Sequence, residues 1–209
     1  MKLLFILVSI CKAHNPLYYN NPKMHSLGNT GFFGRIHAEL AAVATKYIDR
    51  VSYNNRNIRN ELLDSLPKNI NILDLCCGTG TSTAENGYGV DTSMEMITRA
   101  FKTYPNKTFD IGNAETFYPN IPINITTCFF AFHEIPQVPR LNIISRMKEY
   151  TYNKIIIVDI APNYKPKKIM QIGEPYLDDY LNNIKTDLKE FTEEIIIPNH
   201  IHSWTLNLQ

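Results

Sequence analysis

The shortages in this chain exclude several function classes at once. The formal net charge is only +1 over 209 residues. No strong positive field exists to gather phosphates, so general nucleic-acid binding is not expected. The small basic cluster Lys165, Lys167 and Lys168 reads as a solvated turn. Cysteine is scarce, at positions 11, 76, 77 and 128, with no CxxC or Cys/His ligand spacing. A disulfide scaffold is therefore not expected, whereas a reducing compartment, cytoplasmic or organellar, is. No apolar run approaches the roughly 20 residues that a membrane span needs. Near the start, Lys2 precedes the apolar run Leu3 to Ile10. Two readings stay open for it. One is a short targeting segment with Ala13 as a poor cleavage position; the other is a first strand or helix packed on the domain.

What is present describes a folded chain of one domain. Hydrophobic residues make up 44% and charged residues 20%, an ordinary globular balance. Residues 14–34 are rich in Asn, Pro, Gly, His and Tyr, so residues 1–34 divide into the apolar segment and an irregular arm. Residues 35–66 predict a helical cover. Ile36, Leu40, Val43, Ala44, Tyr47 and Ile48 form one apolar face there, and a second short helix stops before Pro67. From 67 to 209 the pattern alternates. Strands are expected at 70–75, 88–91, 108–111, 123–132 and 154–160, with helices at 93–104, 140–150 and 176–191. Two final strands are expected at 194–197 and 203–208 around Pro198-Asn199. Continuous apolar strands alternating with helices imply an α/β fold, a mostly parallel sheet with helices on both faces. The last connection is too short for a crossover, so the final pair must be antiparallel.

In such sheets ligands bind beyond the C-terminal strand ends. After the first strand comes Asp74-Leu75-Cys76-Cys77-Gly78-Thr79-Gly80, a glycine turn that lets backbone approach a ligand. A helix opening after it would add free N–H groups and a positive dipole. Asp91 ends the second strand, where a carboxylate can accept both hydroxyls of a ribose. Gly112-Asn113-Ala114-Glu115 follows the third strand; a side-chain amide suits an adenine edge and Ala114 leaves room for the ring. Phe132-His133-Glu134 follows the fourth, with His133 a candidate general base or a shaper of the pocket. The pair His133-Glu134 lacks the second His of a zinc helix motif, so no metal is expected. Asp159 to Tyr164 and Gly173 to Tyr176 are further candidates on the substrate side, and Tyr18, Tyr19, Phe32 and Phe33 are candidates to close over an acceptor.

From Asn69 to Gln209 this order of motifs resembles the class I S-adenosylmethionine-dependent methyltransferases, nearest the small-molecule group called type 11. The resemblance implies a Rossmann-like sheet of seven strands in the order 3-2-1-4-5-7-6, its last strand antiparallel. It implies S-adenosyl-L-methionine as cofactor and a small-molecule methyl acceptor as partner. It carries cofactor contacts onto Asp74, Cys76, Cys77, Gly78, Thr79, Gly80, Asp91, Thr92, Met96, Asn113, Ala114 and Phe130, with His133 the candidate base. Three features depart from the family pattern. Cys76 stands where the first glycine of the turn is usual, and Asn113 stands where Asp is usual. Only residues 81–90 separate Gly80 from Asp91, so the first crossover helix is confined to Ser82–Asn86 at most. The Asn/Asp-Pro-Pro-aromatic motif of nucleic-acid amino-methyltransferases is missing after the fourth strand. Two other readings are carried alongside. The shortened crossover suits a non-catalytic binding module of the same fold. A dehydrogenase would need a third glycine where Thr83 stands.

Overall fold

The computed structural model describes residues 18–53 and 55–208. The run Leu3–Ile10, Cys11 and Ala13 lie outside the described residues. The arm begins with two 3-10 turns, Tyr18–Asn20 and Met24–Ser26. Helices α1 (Gly31–Ser52) and α2 (Ile58–Asp64) follow, then β1 (Ile72–Leu75), β2 (Gly87–Asp91), α3 (Met94–Thr103), β3 (Thr108–Ile111) and β4 (Ile123–Phe129). After a 3-10 turn at Phe132–Glu134 come α4 (Gln137–Tyr150), β5 (Thr151–Ile160), α5 (Lys168–Gly173), α6 (Leu177–Asp187), β6 (Thr192–Ile197) and β7 (Ile201–Asn207). The strands form one sheet in the order β3-β2-β1-β4-β5-β7-β6. Only β7 runs against its neighbours, pairing antiparallel with β5 and β6. Among the described residues, no helix is long and apolar enough to cross a membrane.

The core follows from the apolar strands. Leu73, Leu75, Ile123, Ile155 and Ile157 are fully buried, and Tyr180 and Trp204 pack with them. One charged group sits deep among them. Arg140 of α4 is fully buried; its Nε donates to Asp187 Oδ2 at 2.9 Å and its Nη1 to Asp179 Oδ2 at 3.0 Å, both on α6. The same guanidinium donates to the Ile135 carbonyl beyond β4. It therefore fixes the segment after β4 against two helices.

The first crossover departs from expectation. No helix forms between β1 and β2; Cys76 to Asn86 is a chain of turns. The expected segment Ser82–Asn86 is too short to nucleate a stable helix alone. Side chains hold it instead. Thr83 Oγ1 donates to Asp74 Oδ2 at 2.7 Å, and Thr127 Oγ1 of β4 donates to Asp74 Oδ1 at 3.0 Å. Lys107 Nζ caps the Thr83 carbonyl, Arg59 Nε donates to Ser82 Oγ, and Asn86 Nδ2 donates to the Lys68 and Ile70 carbonyls. With this bracing β2 docks parallel to β1 over its length, from Ile72 opposite Gly87 to Leu75 opposite Val90.

Helices α1 and α6 and strand β4 also differ from expectation. Helix α1 begins at Gly31 rather than at 35. Its apolar stripe faces outward: Phe32 is 71% exposed, Leu40 56% and Tyr47 64%. The buried side is made of Gly34, His37, Ala38 and Ala42. Short side chains let α1 lie close on α3, where Glu39 meets Arg99 at 3.2 Å and the Gly31 N–H donates to Glu95 at 2.7 Å. Strand β4 stops at Phe129 because Phe130 turns to a left-handed φ of 57°. The helix expected at 176–191 ends at Asp187, and α5 precedes it.

Two stability outcomes follow. Burial pushes the Asp74 carboxyl up to about 6, against the two hydroxyls that favour its charged form. Thr83→Val removes one of those donors, so it is expected to cost about 2 kcal/mol where Asp74 is ionised. The folded group titrates above an ordinary carboxylate, at about 6, so the cost develops through and above that pH and shrinks toward pH 4. Urea unfolding at pH 8 and pH 4.5 measures the difference, and an equal cost at both would reject the ionic role. Asp187→Ala takes away the buried partner of Arg140 and leaves it the more exposed Asp179, so it should cost about 3 kcal/mol in the same assay.

Candidate functional site

The turn after β1 is built from backbone that most residues avoid. Cys76, Gly78 and Gly80 take left-handed φ values of 56°, 52° and 79°. Cys76 adopts this conformation with a side chain, so the turn survives the loss of its first glycine. Gly80 is constrained a second way, because a Cβ there would stand 2.6 Å from the Phe109 ring. The Gly78 N–H donates to Asp91 Oδ2 at 2.9 Å, and the Cys77 N–H donates to the Val90 carbonyl at 3.1 Å. The turn is thus tied to the end of β2, in place of a following helix.

A pocket opens at these strand ends. Its wall contains Cys76, Asp91, Thr92, Asn113 and Ala114, all expected from sequence, together with Gly112, Ala131, Glu134 and Ile135. Tyr18, Tyr19, Met24 and Asn29 of the arm form the opposite wall. The remaining cavity is about 60 Å³. Small-molecule sites are usually about 300–1,000 Å³, so the arm fills most of this one. Tyr18 packs edge-on to Tyr19 and Tyr176, with its hydroxyl beside Cys76 and Glu115. Phe32 and Phe33, by contrast, stand on the open side of α1.

The other expected residues lie behind the wall. Asp74 and Cys77 are buried beneath the turn, Cys77 packing on Ile97, Ala100 and Phe109. Gly78, Thr79 and Gly80 shape the turn. Met96 is buried in the first turn of α3, where its N–H is capped by Ser93 Oγ at 3.2 Å. Phe130 lies under the Arg59 guanidinium, 4.1 Å from its ring centre. Asp91 accepts from the Gly78 and Ser93 N–H groups, and burial pushes its carboxyl above the ordinary range. Asn113 Oδ1 accepts from the Glu115 N–H at 2.9 Å, closing a side-chain turn.

A cluster of ionisable groups borders the pocket, and sequence spacing could not assemble it. His133 donates its backbone N–H to Asp159 and shares an Nδ1 to Oδ1 contact of 2.6 Å with it; both residues are buried. Burial pulls the His133 imidazole down, but Asp159 outweighs burial and holds it up at about 9. His133 Nε2 stands 3.8 Å from Glu134 Oε1. From the arm, His25 reaches Glu134 Oε1 through Nε2 at 2.8 Å and Glu174 Oε1 through Nδ1 at 2.7 Å. Its own burial is likewise outweighed by Glu134 and Glu174, which hold it at about 11. Burial raises the Glu134 carboxyl, yet His25 and His133 bring it down to about 2. His37, stacked 4.5 Å from His25, is lowered by burial and by the His25 charge. The Gly173 to Tyr176 segment joins the site through Glu174; the arm joins it through His25, a residue that carried no sequence signal.

No protein-family model matches the chain. Solved structures share its architecture. A TehB-like SAM-dependent methyltransferase from Corynebacterium glutamicum superposes with a TM-score of 0.55 at 12% identity, covering 83% of this chain and 98% of that one. A SAM-dependent methyltransferase from Aquifex aeolicus matches with a TM-score of 0.54 at 15% identity, covering 72% and 89%. Magnesium protoporphyrin IX methyltransferase from Synechocystis PCC 6803 with bound SAH matches with a TM-score of 0.51 at 12% identity, covering 92% and 97%. At such identities what is shared is the fold, and the fold of this chain is that of the class I S-adenosylmethionine-dependent methyltransferases.

Proposed function

We propose that the chain binds S-adenosyl-L-methionine and transfers its methyl group to a small-molecule acceptor. Asp91 carries this reading. Its carboxylate ends β2 in the wall of the strand-end pocket. Of its roughly four lone-pair sites, one on each oxygen is taken by the Gly78 and Ser93 N–H groups, and the Thr92 N–H also stands by. The others are suited to two ribose hydroxyls. Ala114 keeps the wall shallow beside Asn113, which suits an adenine ring, while Gly112 is held small by Phe117 and Val90, which a Cβ there would meet at 2.9 Å. Cys76, Thr92, Asn113 and Ala114 complete the contacts. Asp74, Cys77, Gly78, Thr79, Gly80, Met96 and Phe130 hold the turn and strand ends in shape.

The cofactor would supply a methyl group on a sulfonium sulfur. The chain's share is then to hold, orient and dry the reacting pair. The arm suits drying, since Tyr18, Tyr19 and Met24 already cover the pocket. His133 fits a base role poorly. It is 7% exposed, absent from the pocket wall and protonated at neutral pH beside Asp159. A positioning role for Glu134 fits better. One observation favours the second reading, a binding module without turnover: the arm leaves only about 60 Å³ of cavity.

Calorimetry with S-adenosylmethionine is expected to give one site. Asp91→Ala should weaken it roughly tenfold to a hundredfold, the worth of hydrogen bonds to a charged group. No heat from the wild type rejects cofactor binding. Tyr18→Ala should tighten binding several-fold, because less of the affinity is spent on opening the arm. Weaker binding would make Tyr18 part of the bound site. Release of S-adenosylhomocysteine in the presence of a metabolite pool separates the enzyme from the binding module.

A further inference from the structure

We propose that His25, Glu134 and Glu174 form a binding site for one divalent first-row metal ion beside the strand-end pocket. The three residues come from the arm, from the turn after β4 and from the link between α5 and α6. One ligand atom from each lies within 4.8 Å of the other two. An imidazole with two carboxylates is a donor set for zinc, and for manganese or cobalt in its place.

The stronger observation is an orphan. Glu174 is 8% exposed, and its Oε2 is buried with no hydrogen-bond partner. Its other oxygen, Oε1, meets His25 Nδ1 at 2.7 Å, so the carboxylate belongs to the cluster. Buried carboxylate oxygens are rarely left unpaired in folded proteins. A cation between the two glutamates would satisfy this one.

The separations suit an ion after small adjustments. With ligand bonds of about 2.0–2.2 Å, tetrahedral donor atoms stand about 3.4 Å apart. The widest pair, within 4.8 Å, must close by up to about 1.4 Å and the His25–Glu174 pair at 2.7 Å must open, which turning the glutamate side chains provides. His25 now donates from one ring nitrogen to each carboxylate; the ion would replace one of these two protons, which would leave to solvent, and the other nitrogen would keep its N–H.

The surroundings resemble the supports that metal ligands usually have. His133 Nε2 stands 3.8 Å from Glu134 Oε1, and Asp159 orients His133 from behind. Such partners fix ligand orientation. Glu134 also lines the pocket, so the ion site and the pocket share a wall. The arm would be clamped by the ion, since His25 is its ligand from that segment.

The test uses the full chain, stripped with chelator and dialysed against Zn²⁺, Mn²⁺ or Co²⁺ with excess Mg²⁺ and no S-adenosylmethionine. One equivalent of bound ion is expected, with visible Co²⁺ d–d bands. His25→Gln and Glu174→Gln should each weaken binding by at least about tenfold. Metal should raise the thermal midpoint of the wild type and not of either variant. If Glu174→Gln fails to fold, His25→Gln, a change on the arm, decides the matter. No stoichiometric ion in the wild type overturns the proposal. So does binding that survives both substitutions, which would place the metal elsewhere, for example on Cys76, Cys77 and Cys128. The readout needs no cofactor, so its failure is distinct from failure of the methyl-transfer reading.

Discussion

Asp74 sits beyond the reach of water, its carboxylate held between the hydroxyls of Thr83 and Thr127. Those two threonines belong to the first crossover and to β4. One side chain therefore joins the centre of the sheet to the segment that must carry the chain back to β2. Without a crossover helix only Cys77 and Ala84 seat that segment by apolar packing, so polar contacts carry much of the attachment. If the crossover swings away, β2 loses its register. Asp91 then loses its place, along with the turn that donates to it.

Most of the fold was legible because its central strands, β1, β4 and β5, are largely apolar and separated by amphipathic or turn-rich stretches. Thr108–Ile111 matches its expected bounds, and the antiparallel end followed from the short link at Pro198-Asn199. The helix-free crossover was half legible. Its shortness was visible, but its bracing was not, because Lys107 and Arg59, and the Lys68 and Ile70 carbonyls that Asn86 meets, lie outside it in sequence. The stripe on α1 faces solvent for a physical reason. A period of 3.6 shows that a face is apolar, and small residues on the other face can win the packing.

The site divides the same way. Cys76, Asp91, Thr92, Asn113 and Ala114 follow strand ends, and topology alone sends them to one pocket. Met96 and Phe130 share that neighbourhood in sequence yet point into packing. His25 and Glu174 were unreadable as partners. They meet only because the arm folds back across the mouth of the sheet, at left-handed φ values of 47° and 62° for His25 and Ser26.

The small-residue seat of α1 has a thermodynamic consequence. Glycine and alanine have no rotamers to freeze, so docking on α3 costs little side-chain entropy. It also removes little apolar area from water, because the large side chains stay outside. What distinguishes the docked helix is then largely polar, resting on Glu39 with Arg99, on Glu95 with the Gly31 amide and on the buried His37 with the Gly28 carbonyl. Attraction between exposed charges fades as salt is added. The first long helix should therefore be the part of the molecule whose attachment responds most to ionic strength, while the sheet beneath it stays indifferent.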